Sequence, residues 1–335
     1  MTIRDLKSTN KVPVIFNVRG FLTLLDATFK GGDPTANAIA MSGAGQVYCR
    51  NVTSDGYGTV ISANGNNVAG NGATPVNNQE YATSGPFKGF TSNSDVSLNL
   101  PVKDTPVFNT MDMTQWINAA PEKNLSDYVS SIQAAIDSGK PIVYLPTGTY
   151  SISNPIILRG SVKKLIGLCA VILPTHDFPK NAPLLQFDGG TADSTIIQNI
   201  SFVGNAIDSH EKVATGILDN SAKILVIANS EMETYDNTAS GVGDLILEDT
   251  ICPPLNIDFS QYVWAQQLNI EGSPGAHITN NGGTPRLLGY KTEGSHPVVA
   301  GNLHTLLVNN GASVNYLAAF FTPPVSFLRK CHDHQ

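Results

Sequence analysis

Five apolar runs of strand length crowd together at residues 142–145, 150–152, 156–158, 164–166 and 171–173, with Pro, Gly and Asn between them. The gaps are too short for the crossover helix that ordinarily joins parallel strands. The spacing therefore predicts a parallel β-helix, in which each coil of short strands stacks on the one before. A helix precedes the runs. Val129, Ile132, Ala135 and Ile136 are apolar at helical spacing, Ser126 or Asp127 can cap the start, and Gly139 can end it.

Composition supports an all-β class. Only 14% of the 335 residues are charged, while Gly numbers 30 and Pro 20. Helical proteins usually carry more Lys and Glu on their polar faces. A net charge of −7 argues against a nucleic-acid partner. The longest apolar runs fall short of a membrane span, so no membrane partner is expected. Cys49, Cys169, Cys252 and Cys331 are far apart and lack metal-ligand spacing, which predicts buried free thiols. No motif calls for a metal or cofactor, and His332 with His334 near the end is a poor ligand set. The sequence does not set an oligomeric state.

Residues 20–34 and 45–59 are similar units. Ala27 and Val52 hold equivalent places, which gives a repeat of 25 residues (52 − 27), within the range of solenoid coils. Leu22, Leu24 and Ala27, then Val47, Cys49 and Val52, are the expected inward residues. Residues 63–115, rich in Asn, Gly, Ser and Pro, break this rhythm. After the helix the coil pattern resumes, with variable loops expected at 205–214 and 231–241.

The stretch SIQAAIDSGKPIVYLPTGTYSIS, followed by VKKLIG, resembles the opening of the pectate-lyase-like right-handed β-helix superfamily. The segment SLNLPVKDTP resembles one found between the two β-helices of proteins related to glycoside hydrolase family 55. The resemblance implies an all-β, right-handed parallel β-helix fold, with a short cap helix on the second β-helix. Residues 1–95 are then the terminal coils of a first β-helix, 96–115 a linker, and 116–335 the second β-helix. Strand-like sequence starts almost at Met1 and neither end carries the polar cap a solenoid needs, so the expectation is a piece of a longer chain, extracellular or periplasmic when whole, although Met1 is followed by no signal peptide.

Glu271 and Glu293 each stand just before a Gly that ends a strand, 22 residues apart (293 − 271), about one coil. Stacked on one face, paired carboxylates are what glycoside hydrolysis uses: one donates a proton to the leaving oxygen, the other serves water or attacks the sugar. Repulsion between them raises one pKa, as an acid at neutral pH requires. The same spacing also suits two ordinary surface glutamates. The family resemblance implies Glu293 as general acid and Glu271 as its partner. Lys291 shares the face of Glu293 on a regular strand, to bind a hydroxyl or neutralise the stack. His296 follows in a turn, as a sugar contact or a solvated side chain. Trp264, Tyr262, Tyr290 and Tyr316 are either groove platforms for sugar rings or core aromatics. Asp249 and Asp258 are further acidic candidates.

The expected function is a carbohydrate-active protein, a glycoside hydrolase of a polysaccharide such as a β-1,3-glucan, with polysaccharide or oligosaccharide as partner. The alternative is a non-catalytic carbohydrate-binding or tailspike-like surface module, or an inactive fragment. The tight Asp cluster of calcium-dependent lyases is absent, and so is any phosphate-binding loop leading into a helix.

Overall fold

The computed structural model describes residues 1–63, 65–69, 76–83, 101–108, 112–206, 213–252, 254–271, 277–293, 307–309 and 315–321. They form an all-β protein built mainly of parallel sheets. The chain divides into two compact units, Met1–Pro101 and Val102–Gln335.

In the first unit, the strand Phe21–Leu25 pairs in parallel with Gln46–Ser54, placing Leu22 beside Val47 and Leu24 beside Cys49. The 25-residue offset is thus a backbone register. All six residues expected to face inward are buried. Two antiparallel additions lie in the Asn- and Gly-rich stretch where strand rhythm fades. Asn66–Ala69 pairs with Thr59–Ala63, and Val76–Ala82 pairs with Gln46–Ser54.

In the second unit the strand Trp116–Asn118, the first of its larger sheet, is followed by a helix, Val129–Ile136, that buries Ile132, Ala135 and Ile136. Asp127 accepts a hydrogen bond from the Val129 N–H at 3.1 Å, and its carboxylate also binds Ser153. Gly139 takes φ +83° just past the helix, a conformation that glycine adopts without steric penalty. From Ile156 onward the chain alternates between a seven-stranded sheet and an eleven-stranded sheet. Each strand pairs in parallel with its counterpart one circuit earlier. This winding is compatible with a solenoid.

A continuous inward column of the larger sheet runs Leu165, Ile197, Ile227, Leu247, Ala265, Leu287. All six are buried in one hydrophobic cluster. Each large aliphatic member contributes roughly 1.5–3 kcal/mol by leaving water. A second column sets the bend of each circuit. Cys169, Asn199, Asn229, Asp249, Gln267 and Gly289 all have positive φ, between 46° and 77°. Asn, Asp and Gly tolerate this left-handed conformation, whereas other side chains are strained in it. At each bend the in-and-out alternation starts afresh.

Several expectations change here. The runs at 164–166 and 171–173 are one strand, Lys164–Pro174, bent at Cys169. Cys169 is therefore exposed rather than buried, because it occupies the bend, while Cys49 and Cys252 are buried free thiols. Cys331 lies outside the described residues. The expected loop 231–241 holds two short strands, Glu231–Met232 and Tyr235–Asn237, that continue the sheets.

Residues 102–108, inside the stretch expected to be linker, pack on the outer face of the larger sheet. Lys103 Nζ donates to Asp244, Thr105 Oγ1 donates to Glu248, and Gln266 Nε2 donates to the Lys103 carbonyl. Phe108 meets an outward apolar row, Ile196, Val226 and Ile246, which this segment shields. The Lys163 ammonium lies 5.0 Å from the Phe108 ring centre.

Candidate functional site

The strands Tyr262–Glu271 and Thr284–Glu293 are parallel neighbours, in register from Tyr262 opposite Thr284 to Glu271 opposite Glu293. Both strands are interrupted by one bend residue, Gln267 and Gly289. Beyond the bends the register is regular, Leu268 with Tyr290, Asn269 with Lys291, Ile270 with Thr292 and Glu271 with Glu293. Glu271 and Glu293 are therefore direct rung partners, with backbones about 4.8 Å apart. Leu268, Ile270 and Tyr290 are buried. Positions 269, 271, 291 and 293 have the opposite parity, so Lys291 shares the register face of Glu293. His296 and Tyr316 were also singled out. His296 lies outside the described residues, and Tyr316 is a backbone partner of Leu287.

Tyr290 is corrected from platform to core. It is 1% exposed, and its hydroxyl lies 3.3 Å from His277 Nδ1. The bend at Gly289 resets the alternation, so position 290 falls on the inward side. No sugar ring can reach it.

Trp264 sits on the outer face of the same two strands. Its Nε1 donates to Asp244 Oδ2 at 2.9 Å, and this same oxygen accepts from Lys103. Its ring stacks with Tyr262 at 6.1 Å between centroids and 25° between planes. Arg286, the rung partner of Trp264, lays its guanidinium 4.5 Å from the Trp264 ring centre and 5.4 Å from that of Tyr262. Tyr262 is 49% exposed. Arg286 and Asp244 were not expected at a site. The signal was present, since Arg286 follows Trp264 by 22 residues (286 − 264), the same offset as the two glutamates.

A third polar group lies inside the unit. Asp219 Oδ2 accepts from Tyr235 Oη at 2.8 Å and from Gln261 Nε2 at 3.0 Å, and Asp219 Oδ1 accepts from the Ser221 N–H at 3.1 Å. Gln261 Nε2 also donates to the Gly243 carbonyl, and Asn237 Nδ2 to Gln261 Oε1. Burial pushes the Asp219 carboxyl up to about 6 against the pull of these donors, and burial beside Asp219 raises Tyr235 well above its usual range. This cluster is enclosed and is a structural network rather than a reaction centre. Asp249 is a bend residue, and Asp258 accepts a hydrogen bond from Asn281. Among the described residues, His, Cys, Asp and Glu form no group of three able to hold a metal ion.

No protein-family model matches the chain, and no curated protein matches it.

Proposed function

We propose that this protein is carbohydrate-active, a glycoside hydrolase on a right-handed β-helix of the pectate-lyase-like kind. The reading rests on the direct rung pairing of Glu271 with Glu293. Two carboxylic groups on adjacent rungs of one face match the minimal machinery of glycoside cleavage. Glu293 is assigned as the acid that protonates the leaving oxygen, and Glu271 as its partner serving water or the anomeric carbon. Lys291, on the same register face, supplies a cation beside the pair. The likeness of the helix-and-strand opening to that superfamily, and of residues 97–106 to family 55 proteins, supports a glucan or related polysaccharide.

The test is release of reducing ends from laminarin-type and other glucans by the full chain, its Glu293→Gln and Glu271→Gln variants, with melting curves alongside. General-acid loss is expected to lower turnover by about a hundredfold or more. Undiminished hydrolysis by Glu293→Gln removes that residue from the mechanism. A second reading, binding without turnover, draws on the Tyr262–Trp264–Arg286 platform, which needs no carboxylate pair. Glycan binding with no products in any variant favours it.

A further inference from the structure

Arg286 is a partly buried cation of the second unit. It has no hydrogen-bond or ion-pair partner among the described residues, and its Nε is buried without one. In contrast, Arg159 is paired with Asp137 and Lys223 with Asp193. Asp244, which holds the neighbouring Trp264, is itself engaged by Lys103. In a protein of net charge −7, an arginine without a counter-ion is held in place by two aromatic rings. Two ring faces against the guanidinium restrict its motion, and such preorganisation favours a bidentate oxyanion contact. Beside it, half of Tyr262 is open to solvent.

The geometry points to Arg286, Tyr262 and Trp264 as a binding subsite for a sugar ring that carries an oxyanion. The guanidinium fork takes the charged group, whether carboxylate or sulfate, in two parallel N–H···O contacts. The exposed Tyr262 ring packs against the C–H face of the sugar. Trp264 holds both in place, its own indole N–H being spent on Asp244. The subsite shares its two strands with the glutamate pair but lies on the far side of the bends at Gln267 and Gly289. The inference rests on the carbohydrate reading above and, within it, favours a polysaccharide whose units carry an anion over a neutral glucan.

The experiment is calorimetric titration of the full chain with four probes: a glucuronate-bearing tetrasaccharide, a sulfated galactan tetrasaccharide, a neutral laminari-tetraose and inorganic phosphate. One or both charged sugars should bind at least tenfold tighter than the neutral one, and the stronger of the two identifies the anion. Arg286→Met, which keeps an apolar cover on Trp264, should lose about tenfold to a hundredfold for the charged sugar and little for the neutral one. Arg286→Lys keeps the charge without the fork and should fall between. Tyr262→Ala should weaken every sugar and leave phosphate unchanged. Unchanged melting curves confirm folded variants. Equal affinity for charged and neutral sugars, or wild-type affinity of Arg286→Met for the charged ones, overturns the proposal. Phosphate binding through Arg286 with no sugar bound overturns it and the carbohydrate reading together. An inactive glutamate pair with these affinities intact removes only the catalytic reading.

Discussion

Replacing Tyr235 by Phe tests the buried Asp219 network with one atom. The hydroxyl donates to Asp219 Oδ2 at 2.8 Å, and Gln261 Oε1 is 3.0 Å away. The folded pKa of Asp219 is about 6, above its usual 3.8. A raised carboxyl pKa means the folded state holds the proton more tightly than the unfolded chain. The stabilising proton is fully present below about pH 4 and is lost as pH rises through about 6. The displacement, about two pKa units, corresponds to roughly 3 kcal/mol of pH-dependent stability. Above pH 7 Asp219 is an ionised buried carboxylate that depends on its donors, and a hydrogen bond to such a group is worth about 1.5–3 kcal/mol. Near pH 4.5 it is protonated, and the same contact is worth only about 0.5–1.5 kcal/mol. Tyr235→Phe should therefore destabilise by about 1–2 kcal/mol more at pH 7.5 than at pH 4.5. Urea unfolding of wild type and variant at both pH values measures this, and titration of exposed groups such as Asp137 cancels in the difference. An equal loss at both pH values, or a larger one in acid, would refute the assignment of a raised pKa to Asp219.

Two further predictions concern local structure. At the exposed bend residue, Cys169→Asn should stabilise by about 0.5–1 kcal/mol, whereas Asn199→Val should cost about 1–2 kcal/mol, because β-branched side chains resist positive φ. Chemical denaturation checks both, and a neutral Asn199→Val refutes the strain argument. Phe108→Ala should loosen residues 102–108 from the Ile196, Val226 and Ile246 row, raising amide exchange in that segment at least tenfold. Unchanged exchange means that the ion pair and hydroxyl contacts alone hold the segment.

What was legible in the sequence follows circuit length. The 25-residue repeat and the 22-residue glutamate offset were readable because each equals one circuit, so sequence distance became rung register. The bend residues lie at 169, 199, 229, 249, 267 and 289, so circuits elsewhere are longer or shorter. No fixed period could connect Asp219 to Gln261, which spans two circuits. Tyr290 misled because alternation restarts after Gly289, and glycine in a strand does not say whether the chain bends there. The segment at 102–108 read as linker because its composition is loop-like. Its partners Asp244 and Glu248 lie more than a hundred residues away, beyond the reach of local pattern. The helix and its first strands were legible because amphipathic spacing and turn residues are local signals.

The Asp219–Tyr235–Gln261 network has a mechanical consequence. Repetitive folds are held chiefly by contacts between neighbouring units, and their unfolding fragments readily once one interface weakens. These three side chains come from three successive passes of the chain, and so tie together units that otherwise meet only in pairs. A side chain that reaches past its immediate neighbour lengthens the block that must melt at once. Ionisation of Asp219 therefore bears on how the second unit comes apart as well as on when: the ionised carboxylate grips its donors on the neighbouring circuits more tightly, while its burial lowers the stability of the whole block that those contacts join.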